Sequence, residues 1–293
     1  MLKKYIFIMQ ICVFLNFTAN AKALTQPLTV NYASSQLLEN SPQNYYIDVL
    51  ILALEKSADK FGDFKLNEKT LETHQGRTLN LLEQGKDIDV VWSMTSIERE
   101  QRFSTIYIPL VKGLMGHRIG IIRKNEQYKF KDINNLNKLK KVFIGQGIDW
   151  PDTKILKSNG FKIVQGAGAN LLSMLEIKRF DYFPRGIHEP WLEIVDNKNL
   201  VVEQTLLLKY PAPVYFFINI NNKILTERLK FGLHKAIQDG SFDKLFNSHE
   251  MTSTAIKKAN IPQRRLFELE NPLLSPKTKS ILTDNNLWFS VLE

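Results

Sequence analysis

The 293-residue sequence predicts an α/β chain of two domains joined by a two-strand hinge, with a cleft between them. Three observations lead there. Short apolar runs alternate with amphipathic stretches from Leu28 to Phe246, the pattern of strands and helices taken in turn. The alternation falls into two blocks, 28–92 and 141–203, and a strongly β run follows each, at 113–123 and 214–220. The length suffices for two domains, and 44% hydrophobic with 24% charged residues is a globular balance.

In the first block, 28–33 reads as a strand and 46–61 as a helix with Val49, Leu50, Leu52, Ala53 and Leu54 on or near its buried face. A short strand at 64–66 follows, then a helix at 77–83 stopped by Gly85 and an apolar strand at 88–92. The second block gives a strand at 141–144, a helix at 152–159 ended by Gly160, and a strand at 161–164. A helix at 171–177, a strand at 180–183 and a helix at 188–195 complete it. Such alternation predicts parallel sheets flanked by helices. The two β runs read as crossovers. Domain one is then 24–115 plus 214–293, and domain two is 116–213. A helix at 223–237 follows the return crossing, and the tail 251–293 is expected to dock across domain one through its Leu287-Trp-Phe289 end. Open α/β sheets bind ligands beyond the carboxyl ends of their strands, which points to loops 31–35, 92–99, 145–153 and 183–188.

Residues 1–23 have the make-up of a signal peptide. Lys3 and Lys4 precede an apolar stretch at 5–17, and Ala19, Ala21 and Ala23 supply A-x-A exits. The stretch is short of the roughly 20 residues that span a bilayer. Export to the periplasm and solubility after cleavage are expected. Cys12, the one cysteine, lies in that stretch, so the remaining chain can form no disulfide, thiol nucleophile or thiolate metal site. The charge of +9 includes Lys3, Lys4 and Lys22; removing these three leaves +6. Lysines such as Lys138, Lys154, Lys157 and Lys257 are scattered, which favours a solvated basic surface over a nucleic-acid footprint.

His74, His117, His188, His234 and His249 are far apart in sequence, and none sits in a metal-binding spacing. There is no Gly-x-Ser-x-Gly elbow and no phosphate-cradling loop. No catalytic centre, metal or cofactor is expected.

Four segments carry a family resemblance: DVVWSMTSIERE at 89–100, KVFIGQGIDW at 141–150, RFDYFPRG at 179–186 and AIQDGSFDKLF at 236–246. In order and spacing they resemble the type II periplasmic solute-binding proteins, specifically solute-binding family 3, the polar amino-acid receptors. The resemblance implies a periplasmic-binding-protein-like fold that closes about its hinge on a small polar, carboxylate-bearing solute. It implies that Arg99 forks onto the carboxylate, a geometry suited to a planar guanidinium. The loop before it lacks the family's Thr-Pro and is one residue shorter, so Arg102 is a second candidate. Thr95 and Ser96 either donate hydroxyls to the solute or cap the following helix.

Where the family places an acid for the solute's ammonium, this sequence has Arg185 or Gly186; Glu189 follows three residues later and replaces it only if the helix start shifts. Arg185 facing the cleft beside Arg99 would favour an anion; the alternative pairs it with Glu189. The Gly145-Gln-Gly147 stretch either offers backbone donors to the solute or makes a tight turn, with Asp149 in the same loop. Trp92, Trp150 and Phe183 either wall the pocket or belong to the core, and the Gln75-Gly-Arg77 stretch before a helix offers a polar cleft contact. The partners implied are a small-molecule solute, with an ABC-type permease or a sensor kinase beyond it, for a monomeric receptor. A periplasmic enzyme of the same fold, such as a dehydratase, is the remaining alternative.

Overall fold

The computed structural model describes residues 26–34, 43–71 and 74–290. The expected export segment with Cys12, and the end of the first cleft loop at Ser35, lie outside the described residues. The chain begins with β1 (Leu28–Ser34), α1 (Gln43–Lys56), α2 (Ala58–Phe61) and β2 (Phe64–Thr70). Next come α3 (Gln75–Gln84), β3 (Val90–Met94), α4 (Ile97–Arg102) and β4 (Phe103–Ile106). Gly85 ends α3 in the left-handed region, at φ 65°, where its amide bonds back to the last turn.

After a passage along 107–116 the chain forms β5 (His117–Arg123), α5 (Tyr128–Lys131), α6 (Leu136–Leu139), β6 (Phe143–Gly147) and α7 (Pro151–Ser158). It continues through β7 (Lys162–Gly166), α8 (Leu171–Glu176), β8 (Phe183–Gly186), α9 (Pro190–Glu193), β9 (Leu200–Val202) and β10 (Leu206–Lys209). A second passage at 210–213 leads to β11 (Val214–Asn219), α10 (Lys223–Gln238), α11 (Ser241–Ser248), α12 (Glu250–Ala259), β12 (Arg265–Glu268) and α13 (Pro276–Ser280).

Two layered units result. In lobe one the strand order is β2-β1-β3-β11-β4. In lobe two it is β12-β10-β5-β8, with β9 also on β5 and the β6-β7 pair attached through an Ile144–Tyr182 bridge. Both sheets are mixed rather than parallel. The block strands β1, β2 and β3 run parallel, as do β6 and β7, whereas β11 runs antiparallel to β3 and β4, and β5 antiparallel to β8, β9 and β10. These two are the runs read as crossovers, and each enters its sheet from the hinge.

The tail departs from the expected partition. The sequence partition places 214–293 wholly in domain one, yet β12 pairs in parallel with β10 of lobe two, from Leu206↔Arg265 to Lys209↔Glu268. A four-residue strand reading Arg-Leu-Phe-Glu carries no local sign of its partner. Two further shifts are local. The strand expected at 180–183 begins at Phe183, and the helix expected at 188–195 is the single turn α9 behind Pro190.

The core of lobe one forms where α1 lies against α10. A methyl at Gly232 would collide with the Ala53 carbonyl, so only glycine permits this approach. Val49, Leu50, Ala53 and Leu54 are all buried there, beside Leu229 and Leu233. The core of lobe two gathers Ile122, Ile144, Ile155, Leu206 and Leu208. Among the described residues no helix is long and apolar enough to cross a membrane.

Candidate functional site

The lobes touch at the ends of β3 and β6. Arg99, on α4, is 6% exposed and turns its guanidinium towards lobe two. Nη1 donates to Ser93 Oγ at 2.6 Å and to the Met94 carbonyl at 2.7 Å. Nη2 donates to Gln75 Oε1 at 2.7 Å and, across the lobes, to the Asp149 carbonyl at 3.3 Å. Burial lowers its pKa to about 10, so it remains a cation at neutral pH. The Asp149 carboxylate sits beside Gly76, where Oδ2 would be 3.2 Å from an added Cβ. Arg99, Gln75 and Asp149 therefore meet, as three of the sequence-derived site residues. Arg102 does not join them. It lies on the outer face of α4, paired with Glu83 at 2.7 Å and Glu98 at 3.4 Å.

Thr95 and Ser96 have their hydroxyls engaged inside lobe one. Thr95 is fully buried and donates to Glu100 at 2.7 Å, while Ser96 Oγ caps α4 by accepting from the Arg99 amide. The short loop explains this: Thr95 N–H is drawn to the Pro213 carbonyl, which turns the residue inward. For Ser96 the capping alternative describes the observed bonds.

Trp92 is half-buried on β3 and stacks on Tyr46, with ring centroids 5.8 Å apart. Tyr46 Oη in turn lies 3.4 Å from His188 Nε2 of lobe two. Trp150 stacks on Phe183 at 6.2 Å and packs over Gly147, whose Cα has no room for a side chain. The Gly147 carbonyl accepts from Thr153 Oγ1 at 2.6 Å.

Of the two readings for Arg185, the pairing with Glu189 describes the observed bonds. Its guanidinium bonds Glu189 at 2.8 Å and Glu193, and lies 4.6 Å from the Trp150 ring. It is a neutralised cation rather than a free partner for an anion. Glu189 meanwhile takes the place left by Gly186: its Oε2 accepts the Gly186 amide at 2.6 Å and stands 3.1 Å from where a Cβ would be. Burial alone would raise Glu189, but Arg185, His188 and Arg118 outweigh it and hold the carboxyl below its usual range.

Sequence reading missed the other half of this cluster. Arg118, on β5, is 2% exposed; it pairs with Asp152 at 2.7 Å and Glu189 at 3.5 Å. Asp152 also accepts from Tyr210 Oη. A cation inside the apolar strand His-Arg-Ile-Gly-Ile-Ile was the available signal, since a buried charge needs partners. Two guanidinium groups, Arg118 and Arg185, thus face three carboxyl groups, Asp152, Glu189 and Glu193, one more acid than base; burial raises the Glu193 carboxyl above its usual range against the pull of Arg185. Arg118 Nε, Gln146 Oε1 and His188 Nδ1 are buried there without a hydrogen-bond partner. All three lie around β8: Arg118 is the register partner of Gly186, His188 adjoins it, and Gln146 donates to the Pro184 carbonyl. Among the described residues no group of three or more His, Cys, Asp or Glu could hold a metal ion.

His117 and His188 are buried, and burial pushes both imidazoles down to about 4. At His188 the Glu189 charge opposes the shift while Arg118 and Arg185 reinforce it. Below about pH 6.5 the unfolded chain takes up protons that the folded chain resists. Their contribution is thus fully present above pH 6.5 and lost as pH falls towards 4, by up to about 3 kcal/mol each. Urea midpoints measured between pH 7 and 4.5 should show this slope, and a His117→Asn/His188→Asn variant should flatten it. An equal slope in the variant would assign the acid sensitivity to the carboxylates instead.

No family model matches the chain, and no curated protein matches it in sequence. Solved structures do match. An ancestral arginine-binding protein bound to arginine aligns with 75% of this chain and 96% of its own, at 18% identity and TM-score 0.55. The probable amino-acid ABC transporter extracellular-binding protein of Bacillus subtilis covers 76% and 97%, at 18% identity and TM-score 0.54. An ancestral amino-acid-binding protein described as a precursor of cyclohexadienyl dehydratase covers 75% and 93%, at 16% identity and TM-score 0.53. The chain has the two-lobe fold of these proteins across about three quarters of its length.

Proposed function

We propose that the protein is an exported receptor that captures a zwitterionic amino-acid-like solute between its lobes and delivers it to an ABC-type importer. The observation that carries this reading is the split of charge across the cleft. Lobe one presents Arg99, a buried guanidinium suited to a carboxylate, and lobe two presents a wall with more carboxyl than guanidinium groups. A solute with a carboxylate at one end and an ammonium at the other complements both walls. This replaces the anion preference expected from Arg185, because Glu189 and Glu193 cancel that cation. Trp92 and Trp150 supply an aromatic face from each lobe, and a polar solute would satisfy Arg118 Nε, Gln146 Oε1 and His188 Nδ1. The neighbours in fold include proteins described as binding arginine and glutamine, which supports the class of solute.

The mechanism is hinge closure, in which the solute favours the closed arrangement by its differential affinity for it. Sensing is the second reading, supported by the likeness to the GluR0 ligand-binding core of Nostoc punctiforme, solved with glutamate. An enzymatic role is the remaining reading, with the likeness to a dehydratase precursor in its favour.

A thermal-shift screen of the chain from residue 24 tests the solute class. Zwitterionic amino acids should raise the midpoint, by about 2.7 kcal/mol of linkage at a hundredfold excess over Kd, and dicarboxylates and sugars should not. A response confined to dicarboxylates would overturn the charge argument.

A further inference from the structure

The residues after α12 cross between the lobes twice more, out to β12 on lobe two and back to α13 on lobe one. Arg264 donates to the Glu203 and Leu206 carbonyls, and β12 then pairs with β10, so this part is anchored on lobe two. Glu270 exchanges two hydrogen bonds with Asn159, also of lobe two, at 2.8 and 3.2 Å. The next anchors lie on lobe one. The Leu273 carbonyl accepts from Ile97 N–H at 2.9 Å, and Ser275 and Thr278 both donate to Glu100, Thr278 at 2.7 Å. Thr278 is fully buried and lies 3.3 Å from Tyr215 Oη on β11.

Only Asn271 and Pro272 span the gap, and neither is slack. Asn271 Nδ2 holds the Pro211 carbonyl of the hinge at 2.7 Å, and its Oδ1 accepts from Leu273 N–H at 2.9 Å. Pro272 has a fixed φ. Glu270 and Leu273 are three residue steps apart and so reach at most about 11 Å when extended, and the anchors cannot separate further without breaking. The strap also ends beside the site: Glu100, which holds Ser275 and Thr278, accepts the Thr95 hydroxyl and directly follows Arg99.

We propose that this segment, from Glu270 to Thr278, is a strap that limits hinge opening and keeps the solute-free protein close to its closed arrangement. The strap would preset affinity, because a receptor whose binding-competent state is already populated gives up less on binding. The inference rests on the proposed hinge closure, but its test needs no solute, so it stands or fails apart from the identity of the ligand.

The test is a distance distribution between spin labels at Lys131→Cys in lobe two and Lys230→Cys in lobe one, both exposed. A chain from residue 24 carries no other cysteine. The unmodified strap should give one narrow distribution without solute. Inserting four Gly and Ser residues between Glu270 and Asn271 adds roughly 11 Å of slack while leaving every anchor intact. That variant should give a broader distribution reaching to longer distances, and solute affinity should fall by the same factor as the closed population. A Ser275→Ala/Thr278→Val variant, which releases the anchors on Glu100 and keeps the Leu273–Ile97 bond, should broaden it to a lesser extent. A broad distribution in the unmodified protein, or an unchanged one in the folded variants, would overturn the proposal.

Discussion

Arg99→Ala is expected to weaken solute binding by about a hundredfold, or about 3 kcal/mol, with little change in the overall fold. The size follows from the setting of the guanidinium. It is buried and held by Ser93, the Met94 carbonyl and Gln75, so its direction is fixed before the solute arrives. A cation in such a place gives up little freedom on binding a carboxylate, and removing it leaves the solute charge in a site shielded from water. Arg99→Lys keeps the charge but loses the planar fork, so its affinity should fall between the two. Calorimetric titration with the solute identified by the thermal screen reads all three proteins. Affinity for Arg99→Ala equal to that of the unaltered protein would remove this residue from the site.

Asp152→Ala should be the most destabilising single change in the cleft. It removes the 2.7 Å partner of Arg118 and the acceptor of Tyr210, leaving a cation that is 2% exposed with only the longer contact to Glu189. Breaking a buried pair from one side costs about 3 to 5 kcal/mol, which should lower the thermal midpoint by roughly 10 °C. The double variant Arg118→Met/Asp152→Leu should recover most of that loss, because the uncompensated charge goes with its partner. A double variant no more stable than Asp152→Ala would show that the two residues act through other contacts. Differential scanning calorimetry of the three proteins decides between these outcomes.

The order of strands and helices was legible because it rests on local pattern. Gly85 and Gly160 marked helix ends, and the apolar runs of β1, β3 and β11 stood out from their flanks. Arg99 was legible because the Glu-Arg pair follows a strand at a recognisable spacing. What escaped was long-range. Thr95 turns inward because Pro213, more than a hundred residues away, receives its amide. The pairing of Arg185 with Glu189 was legible as one of two readings from its four-residue spacing, whereas Glu193, the second partner, comes into reach only because α9 shortens to one turn. The pairing of Arg118 with Asp152 joins β5 to α7, and nothing near either residue announces the other.

The pairing of β12 with β10 also bears on solubility. Leu206, Leu207 and Leu208 of β10 are all buried, and β12 covers the side of that strand turned away from β5. Without it, β10 would present an open row of amides and carbonyls beside three leucines, a template on which other chains could add strands. The border that β12 provides carries Arg265 and Glu268, both exposed, as charges that discourage such stacking. A chain shortened before Arg265 would therefore keep Arg99 and the carboxylate wall but lose its guard against self-association, and its failure would be aggregation.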